Sequence, residues 1–135
     1  MEGTASWGVG SGRISIDGQF GSSCKILLTG ASGFIGSLVL EKLLRSTTVG
    51  LVYVLMRPHR GAEPAERLAA MLHGAAVFHL IRPPAHMARV VAVAGDVALP
   101  GLGLCAQEEA RLLAEVDTVI HCAAGGRALR HEDEC

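Results

Sequence analysis

Four short apolar runs alternate with amphipathic stretches between residues 24 and 124. Ile26–Thr29, Leu51–Met56, Arg89–Ala94 and Val119–Cys122 read as strands, the last starting from Asp117 or Thr118. The first two are apolar almost throughout, as suits parallel strands covered on both faces. Between them the apolar positions take a helical period. Phe34–Arg45 is predicted helical, with Ile35, Leu38, Val39 and Leu43 on one stripe, and with Glu41 and Arg45 one turn apart and able to pair. In Glu63–Leu72 a proline, Pro64, fits the first turn, and Leu68, Met71 and Leu72 face inward. Gln107–Val116 should turn Leu112, Leu113 and Val116 inward. Ala75–Met87, broken at Pro83-Pro84, reads as a helical turn followed by a loop, and Leu99–Gly103 as a loop.

The order β-α-β-α-β-α-β implies parallel pairing through right-handed crossovers. The expected fold is α/β, a Rossmann-type doubly wound parallel sheet, incomplete, with about four strands and their intervening helices. Residues 1–23 form a Gly/Ser-rich segment expected to be flexible, residues 24–124 the domain, and residues 125–135 a polar tail.

The first strand runs into Gly30, Gly33 and Gly36, and these open the first helix. Such a strand–turn–helix places backbone N–H groups and a helix N-terminus where a pyrophosphate can sit. Gly30 allows the sharp turn, Gly33 lets the backbone approach the ligand, and Gly36 lets the helix pack closely. The spacing is G-x-x-G-x-x-G rather than G-x-G-x-x-G, and its context after a buried strand carries the reading. Phe34 and Ile35 supply the first helical N–H groups, and Thr29 and Ser32 could add hydroxyl donors.

An NAD-specific site of this kind usually has an acid at the end of the second strand. Here the chain reads Met56-Arg57-Pro58-His59-Arg60. A guanidinium can bind a ribose 2′-phosphate in bidentate fashion and stack on adenine. Arg57, with Arg60 as a further candidate, therefore points to NADPH rather than NADH. Asp96, after the third strand, could reach the adenine amino group beside the Val97 N–H, or could serve only as a turn residue. Cys122, Ala123 and Ala124 end the fourth strand with small side chains that let the backbone pass under a ribose. His121 reads as a packed strand residue.

A net charge of −1 gives no support for a nucleic-acid partner. The six histidines show no metal-ligand spacing, so no metal site is expected. Cys24, Cys105, Cys122 and Cys135 form no C-x-x-C pair and read as reduced thiols of an intracellular protein. Met1–Gly12 lacks a signal-peptide pattern, and no apolar run nears the roughly 20 residues of a membrane span.

Four blocks resemble the fatty acyl-CoA reductases, the male-sterility branch of the extended short-chain dehydrogenase/reductases. They are Ile26–Arg45, Val52–Leu68, Val90–Leu104 and Val116–Ala124; Ile16–Phe20 resembles the family weakly. The R-P-x-R-G followed by E-R-L in the second block is the more specific match. The resemblance implies an NADPH-binding part of an enzyme that reduces a fatty acyl-CoA to a fatty alcohol. It also implies a proton-donating tyrosine with a lysine four residues later. The sole tyrosine, Tyr53, lies in the second strand with Arg57 four residues on, and no lysine follows Lys42. No catalytic residue is therefore assigned, and the chain reads as an N-terminal fragment. Members of the family stand at organelle membranes or in plastids, and no address is legible here. Two other readings stand beside this one: another extended reductase or epimerase, acting on a carrier-bound thioester or a nucleotide sugar, and a non-catalytic NADP-binding module.

Overall fold

A computed structural model describes residues 20–74, 77–78 and 87–123. Within them the chain forms β1 (Lys25–Thr29), α1 (Phe34–Ser46), β2 (Leu51–Met56) and α2 (Pro64–Gly74). There follow β3 (Val90–Ala94), a short 3₁₀ turn (Pro100–Gly103), α3 (Ala106–Glu115) and β4 (Thr118–His121). The strands make one sheet in the order β3-β2-β1-β4, and every pair is parallel. Chain progression runs outward from β1 to β3 and then returns to the far side of β1. With right-handed crossovers, that reversal sends the helices to opposite faces.

Packing follows this topology. Leu40, Leu43 and Leu44 of α1, Leu68 and Leu72 of α2, and Phe78 cover one face over Ile26, Leu28, Val52 and Val54. Leu112 of α3 covers the other, over Leu27, Tyr53, Leu55 and Val93. β1 and β2 are buried along nearly their whole length, whereas the edge strands are only partly covered. Unbroken apolar runs in the central strands are the sequence's record of that two-sided burial.

Two predicted helix faces are corrected. Ile35 and Leu38 are 58% and 39% exposed. Of the predicted stripe, Leu43 is buried and Val39 packs half-buried against the core, while Gly36, Leu40 and Leu44 make up the rest of the inward face, with Glu41 also buried. Close contact at Gly36 sets the rotation of the helix, and Ile35 and Leu38 are carried outside. On α3 only Leu112 is buried, and Leu113 is 79% exposed. The predicted loop Leu99–Gly103 contains the 3₁₀ turn, closed by Leu102 N–H to Leu99 O (3.1 Å) and Leu104 N–H to Gly101 O (3.2 Å). β4 begins at Thr118, within the expected start at Asp117 or Thr118, and Asp117 N–H already bonds Lys25 O at 3.0 Å. Most of Ala75–Met87, the N-terminal segment up to Gln19, Ala124 and the tail lie outside the described residues.

The C-terminus of α1 is held by a side chain from elsewhere. Arg89 donates to the carbonyls of Leu44 (2.6 Å), Thr47 (3.1 Å) and Val49 (3.0 Å). Glu41 and Arg45 form the expected pair one helical turn apart.

Apart from Arg45, which is raised by its bond to Glu41, the titratable groups with shifted pKa values gather around α3 and the N-terminal ends of β1 and β4. The Asp117 carboxylate accepts from Cys24 Sγ (3.2 Å) and from the Lys25 N–H (3.1 Å), and these bonds lower its pKa. Burial, together with that same carboxylate, pushes the Cys24 thiol up, so it is not poised as a nucleophile. Burial likewise raises Tyr53, whose hydroxyl donates to Glu115, and the bond holds Glu115 below its usual value. Arg111 lies over the Tyr53 ring at 5.0 Å, which fastens α3 to the sheet.

Two outcomes are expected. Leu40→Ala should destabilise the fold by about 3 kcal/mol, and Leu113→Ala by under about 0.5 kcal/mol, as read from urea midpoints at constant slope. Because Asp117 is depressed in the folded state, its stabilising contribution is present above the unfolded carboxylate pKa and lost as the pH falls through and below it. Asp117→Asn should therefore flatten the acid side of a stability–pH curve.

Candidate dinucleotide-binding site

β1, β2, β3 and β4 all point their C-terminal ends the same way, and the strand order reverses between β1 and β4. In open parallel sheets this end and this position form the crevice where ligands bind. The glycine turn stands at that point. Gly30 has φ +74°, and a Cβ there would fall 2.4 Å from the Ala123 nitrogen. A Cβ on Gly36 would fall 1.9 Å from the Gly30 carbonyl oxygen. The two glycines thus let β1, the end of β4 and the first turn of α1 close on one another. Gly36 packs on the turn itself rather than on the strand.

Gly33 differs. A Cβ there would meet only the Gly30 oxygen, at 3.4 Å. The fold does not need glycine at this position for packing, so what its bareness leaves open is the approach from solvent. Gly33 is also the N-cap of α1; it makes no side-chain cap bond, and the first turn carries no acidic residue. The N–H groups at this end face outward with a positive dipole end behind them. Ser32, Phe34 and Ile35 are exposed around the turn, Phe34 at 78%. A bare, uncapped helix start against a strand end fits a pyrophosphate.

Thr29 is buried, and its Oγ1 shares a 2.6 Å hydrogen bond with His121 Nδ1 while lying 3.5 Å from the Ala123 nitrogen. Its hydroxyl therefore ties β1 to β4 beneath the turn. His121, expected to be packed, is exposed apart from this bond. Cys122 and Ala123 are half-buried beside Gly30, and Cys122 N–H extends the ladder to Thr29 O at 3.1 Å.

A second part of the crevice lies beyond β2 and β3. Arg57, Pro58, His59, Ala94, Gly95, Asp96, Leu99 and Gly103 line an open cavity of about 550 Å³. Arg57 is exposed, and the Arg67 guanidinium holds its carbonyl. Arg60 sits with φ +52° at the tip of a tight turn and does not line the cavity. Asp96 lines it while its Oδ1 accepts from Ala98 N–H at 2.9 Å, so it is a turn residue whose second oxygen stays available. Val97 is exposed next to it. The sequence reading did not single out His59, Leu99 and Gly103 as cavity residues. The Pro58-His59 pair after the second strand was the signal for His59. For Leu99 and Gly103 the signal was the glycine-rich stretch that folds back over Gly95 through Asp96 N–H to Leu102 O at 2.7 Å.

The family model described as male sterility protein matches residues 28–135. Fatty acyl-CoA reductase wat of Drosophila melanogaster is 36% identical over 101 residues, 73% of this chain and 19% of its own length. Human fatty acyl-CoA reductase 1 is 37% identical over 102 residues, 73% of this chain and 20% of its own. The chain thus spans about one fifth of the length of the curated relatives it matches. Among solved structures, the terminal R domain of the myxalamid PKS-NRPS pathway superposes with TM-score 0.63 at 36% identity, covering 78% of this chain and 25% of that one. The reductase domain of a Mycobacterium tuberculosis non-ribosomal peptide synthetase does so with TM-score 0.61 at 30% identity, covering 78% and 26%.

The glycines should separate by experiment. Gly36→Ala should cost more than about 3 kcal/mol, since the methyl meets backbone that cannot yield. Gly33→Ala, at an open position with ordinary φ, should change the thermal midpoint by only a few degrees.

Proposed function

The chain belongs to the male sterility protein family, and on that footing we propose that it is the NADPH-binding part of a fatty acyl-CoA reductase. It is a nicotinamide-dinucleotide-binding domain of an oxidoreductase family. Of the finer reading, NADPH as cofactor rests chiefly on Arg57, a cation lining the cavity at the strand end where an NAD site would carry an acid, and acyl-CoA as substrate rests on the likeness to fatty acyl-CoA reductases.

The residues divide the cofactor among them. The backbone of Gly30, Ser32, Gly33, Phe34, Ile35 and Gly36 would hold the pyrophosphate, with the α1 N-terminus facing its charge. Thr29 would hold the turn in place from beneath. Arg57 would take the 2′-phosphate, with Arg60 adding positive field from the turn tip. Asp96 and the Val97 N–H would meet the adenine edge, and Cys122 and Ala123 at the end of β4 would pass under a ribose, with Ala124 outside the described residues. When bound, the nicotinamide supplies the hydride for reducing a thioester.

The family's proton donor has no counterpart among these residues. Tyr53 is buried in β2 with its hydroxyl on Glu115, and Arg57 stands where the partner lysine would be. The 135-residue chain by itself is therefore expected to bind cofactor and form no alcohol. A second reading, reduction of a carrier-bound thioester, draws on the likeness to peptide-synthetase reductase domains.

Titration of the chain with NADPH and NADH, followed by nicotinamide fluorescence, tests the proposal. Saturable binding with a preference for NADPH is expected. Arg57→Ala should weaken NADPH binding about 10-fold to 100-fold while leaving NADH nearly unchanged, the scale of a lost charge-assisted bond. Gly33→Ala should fold and bind neither. Equal affinity for both nucleotides in the native chain would refute the NADPH assignment.

A further inference from the structure

We propose that His59 makes the grip on the ribose 2′-phosphate proton-dependent. Protonated His59 joins Arg57 at that phosphate, so the preference for NADPH over NADH declines as the pH rises through the histidine range. The inference rests on the reading of Arg57 given above and adds a residue and a regulation to it.

Placement comes first. His59 lines the same cavity as Arg57, together with Asp96, Leu99 and Gly103. The backbone that carries it is fixed. His59 N–H donates to Ala62 O at 3.3 Å, and Ala62 N–H donates to His59 O at 2.9 Å. The two residues between, Arg60 and Gly61, have φ +52° and +77°, which makes this a two-residue turn of the primed kind. Pro58 restricts the preceding step, and Arg57, as the residue before a proline, is biased to extended backbone. Residues two apart in an extended chain point to the same side. The bond from Arg67 to the Arg57 carbonyl anchors the other end of the segment. Arg57 and His59 are thus presented together by a short, doubly fastened piece of chain.

The charges around His59 are few among the described residues. Arg57 faces the cavity from the end of β2, and Asp96 faces it from the β3 loop with one oxygen engaged by Ala98 N–H. Arg60 is next to His59 at the turn tip. From the first turn of α2, Glu66 accepts from Glu63 N–H at 3.1 Å, and Arg67 is spent on Arg57. The side chain of His59 is exposed, so in the free chain its imidazole sits in water between cations and one carboxylate.

The sign follows from linkage. A phosphate monoester carries close to two charges above a pKa of about 6, and a histidine titrates near about 6.5. A dianion bound beside the imidazole favours its protonated form, so binding takes up a proton, and the extra affinity is lost as the pH rises through the histidine range. Arg57 stays charged throughout, so a smaller preference persists at high pH. NADH lacks the 2′-phosphate and is blind to this exchange. Ionisation of the phosphate itself works in the opposite direction and favours NADPH as the pH rises, so the direction of the slope identifies the histidine.

The test is equilibrium titration of the 135-residue chain with NADPH and with NADH at about pH 6 and about pH 8, at constant ionic strength. The ratio of the two affinities should fall about five- to tenfold between these values in the native chain, the scale of one charge-assisted contact. In His59→Asn the ratio should stay level or rise. In His59→Lys it should stay high at both. Thermal midpoints of the unliganded variants should match the native chain, since the side chain is exposed. A native ratio that stays level or rises, or an equal fall in His59→Asn, overturns the role of His59 and leaves the NADPH reading standing. A native chain that binds NADPH no better than NADH at either pH overturns that reading, and this inference with it.

Discussion

Everything at the crevice depends on one close approach of backbone to backbone. The turn after β1 sits so near both the start of α1 and the end of β4 that neither Gly30 nor Gly36 has room for a methyl group. This contact fixes the rotation of α1, and therefore which of its leucines reach the sheet. It also brings β4 alongside β1, so that Thr29 can bond His121 and Ala123. The strand reversal that opens the crevice is held by the same few atoms. The proposed site for a dinucleotide and the packing centre of the first layer are here a single structure.

The other half of the crevice is built differently. It uses side chains on short, restrained segments rather than bare backbone. The turn at His59–Ala62 and the folded-back stretch after β3 form two walls, and both rely on left-handed backbone: Arg60 and Gly61 in the first, Gly101, Leu102 and Gly103 in the second. Left-handed φ at Arg60 and Leu102 is uncommon for residues with a side chain. In each case hydrogen bonds across the segment hold it, His59 with Ala62 in one and Leu99 with Leu102 in the other. On the proposed reading, rigidity on this side would let a few polar groups set the identity of the ligand.

Much of this was legible in the chain itself. Continuous apolar runs revealed β1 and β2 because burial on both faces removes the need for alternation. The glycine spacing revealed the turn because only backbone geometry can require it. Arg57 was visible from its place after a strand. Helix faces were harder. Ile35 and Leu38 have the right spacing for a core stripe, yet the contact at Gly36 turns them outward, and a residue without a side chain leaves no hydropathy signal. His59 was passed over for a related reason: a histidine in a polar loop looks like any solvated residue until the walls around it are placed. Thr29 looked like a ligand donor, and only the pairing with β4 reveals that its hydroxyl is bonded to His121.

The hold of Arg89 on α1 has a consequence for how the domain behaves when empty. A helix is a polar rod, negative at its last carbonyls and positive at its first amides. Arg89 neutralises the negative pole from within the fold, with bonds to Leu44, Thr47 and Val49. Nothing among the described residues caps the positive pole at Gly33. The helix is therefore finished at one end only, and on the proposed function an anion bound at Gly33 would be its missing terminal piece, a structural member completing an element that the chain began.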